Sequence, residues 1–105
     1  PSFRFANFFV NGYKIELIAP NPEHPQSFVN TFLAKRGEGF HHISIDVDRL
    51  APVVDALERA GVRVVDRYRR PSDGRETAFI SPRFAFGVLI QFWERPDWTV
   101  ERSLE

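Results

Sequence analysis

The sequence contains no cysteine. Disulfides, thiolate nucleophiles and cysteine-built metal centres are therefore excluded. It also has no excess of either charge, since 14 Lys and Arg balance 14 Asp and Glu. A chain so balanced has no electrostatic footprint for nucleic acid or for an anionic membrane surface. No apolar run approaches the length of a membrane-spanning helix, and no secretory-signal pattern opens the chain. These absences fit a cytoplasmic protein that works on small molecules, with no nucleic-acid or membrane partner. The start at Pro1 points to a removed Met or to further sequence upstream.

What is present suits one domain, or a piece of one. The 105 residues are too few for two independent domains of ordinary size. Hydrophobic residues make up 43% and include eleven Phe and two Trp, which is enough for a core. Charged residues at 27% match ordinary globular usage and argue against wholesale disorder.

The chain opens with an aromatic-rich segment, 3–9, and a second strand, 13–19. Between them lies Asn11-Gly12, the dipeptide that supplies the positive φ angles of a tight hairpin. Pro20, Pro22 and Pro25 stiffen the connector that follows. The spacing of Phe28, Phe32 and Leu33 predicts a helix over 26–35, ended by Gly37. A strand is predicted over 40–47, with strict alternation from His42 that sets Ile43, Ile45 and Val47 on one face and His42, Ser44 and Asp46 on the other. Asp48 is placed to cap a helix over 49–60, whose apolar stripe is Leu50, Val53, Val54 and Leu57, and Gly61 ends it. Strands are predicted over 62–65, 77–81 and 87–93, with a turn at Pro71-Ser72-Asp73-Gly74.

From residue 40 the order is strand, helix, strand, strand, strand. Three local words accompany it. They are Tyr13-Lys14-Ile15-Glu16-Leu17-Ile18-Ala19-Pro20, Arg36-Gly37-Glu38-Gly39-Phe40-His41-His42-Ile43, and Phe79-Ile80-Ser81-Pro82 followed by Gly87-Val88-Leu89-Ile90-Gln91-Phe92. Together they resemble the vicinal oxygen chelate, or glyoxalase-like, superfamily, and within it the methylmalonyl-CoA epimerases. The resemblance runs through most of 8–94. It implies an α+β fold with a mixed, cupped sheet built from two βαβββ modules around one divalent metal. On that reading 1–95 is a single glyoxalase-like domain. Residues 3–19 are the final hairpin of module one, 20–39 a helical connector, 40–95 the complete second module and 96–105 a tail. The remaining strands of module one then come from sequence outside this chain or from a partner chain, or the cup stays open. Open strand edges and apolar patches are usually covered, so a homodimer is expected.

In the family each module supplies two metal ligands, and three positions here match ligand positions by motif: Glu16, His42 and Gln91. Taken alone, a His in a strand is more often a hydrogen-bonded structural residue, and a Glu on an antiparallel strand usually faces solvent. Glu16 sits between Ile15 and Leu17, where burial of a carboxylate without a partner is costly. Imidazole and carboxylate together suit Co²⁺, Ni²⁺, Zn²⁺, Fe²⁺ or Mn²⁺. Relatives usually carry Glu at the position of Gln91 and often Gln at that of Glu16. Either the two are exchanged, which keeps one negative charge at the metal, or the amide weakens the site. His41 is read as facing away from His42, and Glu94 as facing away from Gln91.

The resemblance implies metal-assisted isomerase or epimerase chemistry on a carbonyl or CoA-thioester substrate. A Lewis acid polarises the carbonyl, and a carboxylate, here Glu16, moves the proton beside it. Ser44 is a candidate pocket residue; Phe86 is read first as core or interface and, on the sharper reading, as the wall of a ligand cavity. Arg67, Arg69, Arg70 and Arg75 flank the 71–74 turn, where a solvated charged loop is the plain reading. The sharper reading gives Arg75 a contact to CoA phosphates. The rival from another class is a metal-free small-molecule binding module of the same fold, of the drug-resistance type.

Overall fold

The computed structural model describes residues 2–96, which fall into two compact units, 2–40 and 41–96. The fold is α+β with two separate sheets. No helix among the described residues is long and apolar enough to cross a membrane.

The first unit is a hairpin and a helix. Strands β1 (Phe3–Val10) and β2 (Tyr13–Pro20) pair antiparallel, with Phe3 opposite Pro20 and Val10 opposite Tyr13. Asn11 and Gly12 both adopt positive φ, 51° and 83°, as the two-residue turn requires. By register, Phe8, Val10, Tyr13, Ile15 and Leu17 share one face of the hairpin, and all five are exposed. Helix α1 (Phe28–Arg36) begins two residues later than its periodicity predicts. A turn from Asn21 to Ser27 holds the preceding backbone, and the Ser27 hydroxyl accepts from the Val29 N–H, so Ser27 is the cap. The buried face is centred on Val29, whereas Phe28 stays largely exposed with its ring edge against Phe3. Gly37 ends the helix at a positive φ of 73°, and its N–H donates to the Leu33 carbonyl.

The second unit is a four-stranded sheet crossed by one helix. Its strands are β3 (His42–Val47), β4 (Val64–Arg69), β5 (Glu76–Ile80) and β6 (Leu89–Glu94), with helix α2 (Leu50–Arg59) after β3. A single 3-10 turn, Pro82–Phe84, precedes β6. The spatial order is β3-β6-β5-β4, with β3 parallel to β6 and the other pairs antiparallel. Successive strand residues alternate between faces. One face carries Val47, Phe92, Ala78 and Val64, and α2 packs Leu50 and Val54 onto it to form the core. The other face carries His42, Ser44 and Asp46 of β3, Leu89, Gln91 and Trp93 of β6, and Thr77 and Phe79 of β5.

Two local features differ from the sequence reading. Strand β4 runs on to Arg69 because a bulge between Val65 and Tyr68, with Asp66 at φ 52°, absorbs the break in alternation that marked its end. Asp48 does not cap α2. The cap is Arg49, which makes no side-chain bond, and the Glu94 carboxylate of β6 accepts from the Leu50 N–H at 3.0 Å. A negative group at this end also complements the helix dipole. The far end of α2 closes as predicted, with Gly61 at φ 82° and N–H bonds from Gly61 to Glu58 and from Val62 to Leu57.

The turn between β4 and β5 is laced by ion pairs. Arg67 and Arg69 both reach Glu76, at 3.0 and 2.5 Å. Arg70 pairs with Asp73 and lies 4.6 Å over the Trp93 ring. Arg75 sits 3.6 Å from Asp73 and donates its backbone N–H to the same carboxylate. The Arg70 hydrogen bond, helped by the Arg75 backbone, draws the Asp73 carboxyl from its usual 3.8 down to about 2.

Glu94→Ala removes the acceptor at the start of α2 and is expected to cost about 1 kcal/mol. Urea unfolding followed by circular dichroism measures it, against a Leu50→Ala core control expected to lose about 2–5 kcal/mol. Asp73 should titrate with a midpoint near 2 by carboxyl NMR. Because its folded pKa lies below the unfolded one, its ion pairs contribute above pH 4 or so and are lost as the pH falls through about 2. Arg70→Gln should return the midpoint toward the ordinary value.

Candidate functional site

The open face of the second sheet holds the groups with chemistry. The parallel register sets Ser44 beside Gln91 and His42 beside Leu89, so His42 and Gln91 share a face on adjacent strands. Gln91 is only 7% exposed, and both ends of its amide are bonded. The Ser44 hydroxyl donates to Oε1 at 2.8 Å. Nε2 donates to the Thr77 hydroxyl oxygen at 3.0 Å. Thr77 in turn donates its proton to the backbone carbonyl of Phe92 at 2.8 Å. Thr77 is fully buried, so its hydroxyl must be satisfied within the protein.

His42 begins β3 and is half-buried. Its Nδ1 lies 2.7 Å from Nδ1 of His41, with the two rings nearly perpendicular and 5.0 Å apart. One of these nitrogens carries the proton and the other accepts it. The expectation that His41 faces away from His42 is therefore corrected. His41 lies before the first residue of β3, where strand alternation does not apply. Glu94 does face away from Gln91, onto the helix side, where it caps α2.

The other candidates lie as follows. Glu16 is in the first unit, opposite Asn7 in the hairpin, and is exposed, so no burial cost falls on its carboxylate. Asp46 is paired with Arg95 at 3.0 Å at the end of β3. Phe86 is fully exposed in the loop before β6, with φ 54°. Arg75 is held in the ion-paired turn. Among the described residues no three His, Asp or Glu side chains are gathered to hold an ion. A cleft of about 420 Å³ is lined by Arg63, Val65, Ser81, Arg83 and Phe84 and contains none of the candidate residues.

Thr77 is the residue that sequence reasoning did not pick out for this face. Its partnership with Gln91 depends on the antiparallel register of β5 with β6, which sets Phe79 opposite Gln91 and Thr77 opposite Trp93. No local pattern encodes that register.

Residues 3–79 match the model of the glyoxalase/bleomycin resistance protein/dioxygenase superfamily. The uncharacterized protein YqjC of Bacillus subtilis (strain 168) is 39% identical over 90 residues, covering 85% of this chain and 63% of that protein. The mitochondrial methylmalonyl-CoA epimerase of Dictyostelium discoideum is 32% identical over 84 residues, covering 78% of this chain and 49% of its own length. The chain thus spans less than two thirds of these curated relatives. A hypothetical protein of Bacillus halodurans C-125 superposes with a TM-score of 0.76 at 31% identity, over 93% of this chain and 70% of that one. A variant of the Streptomyces coelicolor methylmalonyl-CoA epimerase, solved with 2-nitronate-propionyl-CoA, gives a TM-score of 0.68 at 30% identity, over 89% of this chain and 70% of the other. With the family model matching residues 3–79, most of the sequence, the chain belongs to the glyoxalase/bleomycin resistance protein/dioxygenase superfamily.

Proposed function

We propose that this chain carries part of the site of a metal-assisted isomerase or epimerase that acts on a carbonyl or CoA-thioester substrate. The observation that carries this reading is the placement of His42 and Gln91 on one face of adjacent strands, with the Gln91 oxygen turned toward β3. Support also comes from the epimerases among its relatives, one of them solved with a CoA compound.

The donor chemistry fits a borderline divalent ion such as Co²⁺, Ni²⁺, Zn²⁺, Fe²⁺ or Mn²⁺. With Nδ1 of His42 engaged by His41, the imidazole would ligate through Nε2. The Gln91 oxygen accepts one proton from Ser44, and a carbonyl oxygen has two lone pairs. Glu16, in the first unit, is the carboxylate that the ligand motif would add. A metal held by such groups would supply a Lewis acid for the substrate oxygen. Glu16 would take the proton beside the carbonyl from one side, and a second acid on the opposite side would return it, which inverts that centre. The hydroxyl of Ser44 lies on the same face, and Arg75 and the exposed ring of Phe86 are the further substrate contacts in this reading. The hairpin face of Phe8, Val10, Tyr13, Ile15 and Leu17 is the surface through which two copies would pair, in a cytoplasm that suits a chain without cysteine.

One observation favours a second reading, a metal-free binding module. Gln91 is neutral and bonded at both ends of its amide, which is also what a purely structural residue looks like.

Metal analysis separates the two. Protein purified without chelator should carry near-stoichiometric divalent metal, and His42→Ala should lose it. Solvent deuterium should then enter methylmalonyl-CoA with the wild-type protein and not with Glu16→Gln. Absence of metal in both proteins, even after addition of Co²⁺, Ni²⁺ or Zn²⁺, would leave the binding module as the reading. Light scattering after size exclusion tests the pairing, and a monomer at high concentration speaks against it.

A further inference from the structure

We propose that Thr77 is a positioning residue that fixes which end of the Gln91 amide faces β3. The inference rests on the reading of Gln91 as an oxygen ligand on the face of His42.

An amide side chain presents an oxygen on one end and an NH₂ on the other, and the two ends have nearly the same shape. Its neighbours decide which way it lies. Gln91 has two, Ser44 and Thr77, and both are hydroxyls. A hydroxyl donates one proton and also accepts, so a hydroxyl alone does not discriminate between the two ends. Ser44 is in that position. It is exposed, and its proton is free to turn toward the Gln91 oxygen or away from it. Thr77 is different. It is fully buried, and its one proton is committed to the Phe92 carbonyl at 2.8 Å, a group that only accepts. Toward Gln91 the Thr77 oxygen therefore acts as an acceptor, and only the NH₂ end satisfies it. The NH₂ goes to β5 and the oxygen to β3.

The direction of these bonds runs one way, from Ser44 through Gln91 and Thr77 to the main chain of Phe92. Reversing the amide would set two lone pairs against each other at Thr77 in a buried position, leaving two acceptors, the Gln91 oxygen and the Thr77 oxygen, without a donor between them. Without the Thr77 hydroxyl that penalty disappears. The NH₂ is then as well placed against Ser44, which accepts as readily as it donates. The face of His42 would meet a donor where it now meets an oxygen. Outer partners of this kind, which orient a ligand without touching the metal, typically change metal affinity by about 10–100-fold when lost.

The test compares Thr77→Val, which removes the hydroxyl with little change of shape, with Thr77→Ser, which restores it. Both are made in the full chain. Two quantities are read. One is the side-chain amide of Gln91 by NMR, through its hydrogen exchange and its nuclear Overhauser contacts to residue 77 and to Ser44. The other is affinity for Co²⁺ alone, by visible absorption titration. The wild type should show slow exchange and amide protons close to the Thr77 methyl. Thr77→Val should lose the protection, gain contacts to Ser44 and weaken Co²⁺ binding by about 10-fold or more. Thr77→Ser should recover both, and Ser44→Ala should keep the wild-type orientation. An unchanged amide in Thr77→Val overturns the proposal, and so does a reoriented amide with unchanged Co²⁺ affinity. Gln91→Ala distinguishes the underlying reading. If it binds Co²⁺ as tightly as wild type, or if wild type binds none, Gln91 is not a ligand and Thr77 positions nothing toward a metal. If Gln91→Ala weakens binding and Thr77→Val does not, only the role of Thr77 fails.

Discussion

The parallel register between β3 and β6 fixes two things at once, since it sets Ser44 beside Gln91 on one face and Val47 beside Glu94 on the other. A parallel pair needs a long crossover, and here the chain leaves β3 through α2 and the rest of the sheet before it returns as β6. On the helix side the register brings the Glu94 carboxylate to the first free N–H of α2. On the open side it brings the amide of Gln91 beneath the strand that carries His42. Core and candidate site are thus two consequences of one alignment. A slip of one residue would exchange the faces of β6, turning Gln91 toward α2 and taking Phe92 out of the core.

Much of this was legible in the sequence because it is local. The Asn11-Gly12 turn, the alternation from His42 to Val47 and the apolar stripe of α2 are each written within a few residues. The resemblance carried by the words around Glu16, His42 and Gln91 led to the same superfamily that the family model matches. The site was less legible. Strand parity placed Ser44 on the face of His42 but did not identify it as the donor to Gln91, and it left Thr77 unmarked. Both contacts join residues 47 and 14 positions apart and depend on registers that no short pattern specifies. The cap of α2 was misread for the same reason. Asp48 is the local candidate, but the acceptor is 44 positions away. His41 shows the limit of parity itself, which holds only inside the strand.

The arginines around the 71–74 turn fit the plain reading of a charged, solvated loop. Four guanidiniums fall within nine residues, and Glu76 and Asp73 answer them within the same turn. The face of Trp93 takes up Arg70 from the other side. Such a network is shaped by the β-turn itself, and its exposed pairs contribute modestly to stability. Its larger effect is on shape, since it holds the turn against the open face of the sheet.

The bulge at Asp66 has a further effect at the rim of the second sheet. Strand β4 is an outer strand, and its ladder of backbone groups is interrupted where Asp66 turns to positive φ. Exposed charged side chains at Asp66, Arg67 and Arg69 surround the interruption. Bulges and charges are how sheets discourage another strand from docking edge to edge. At the opposite rim, β3 is short and regular and carries no bulge. Among the described residues the two rims of this sheet therefore differ, and β4 is the one whose backbone is guarded against a further strand.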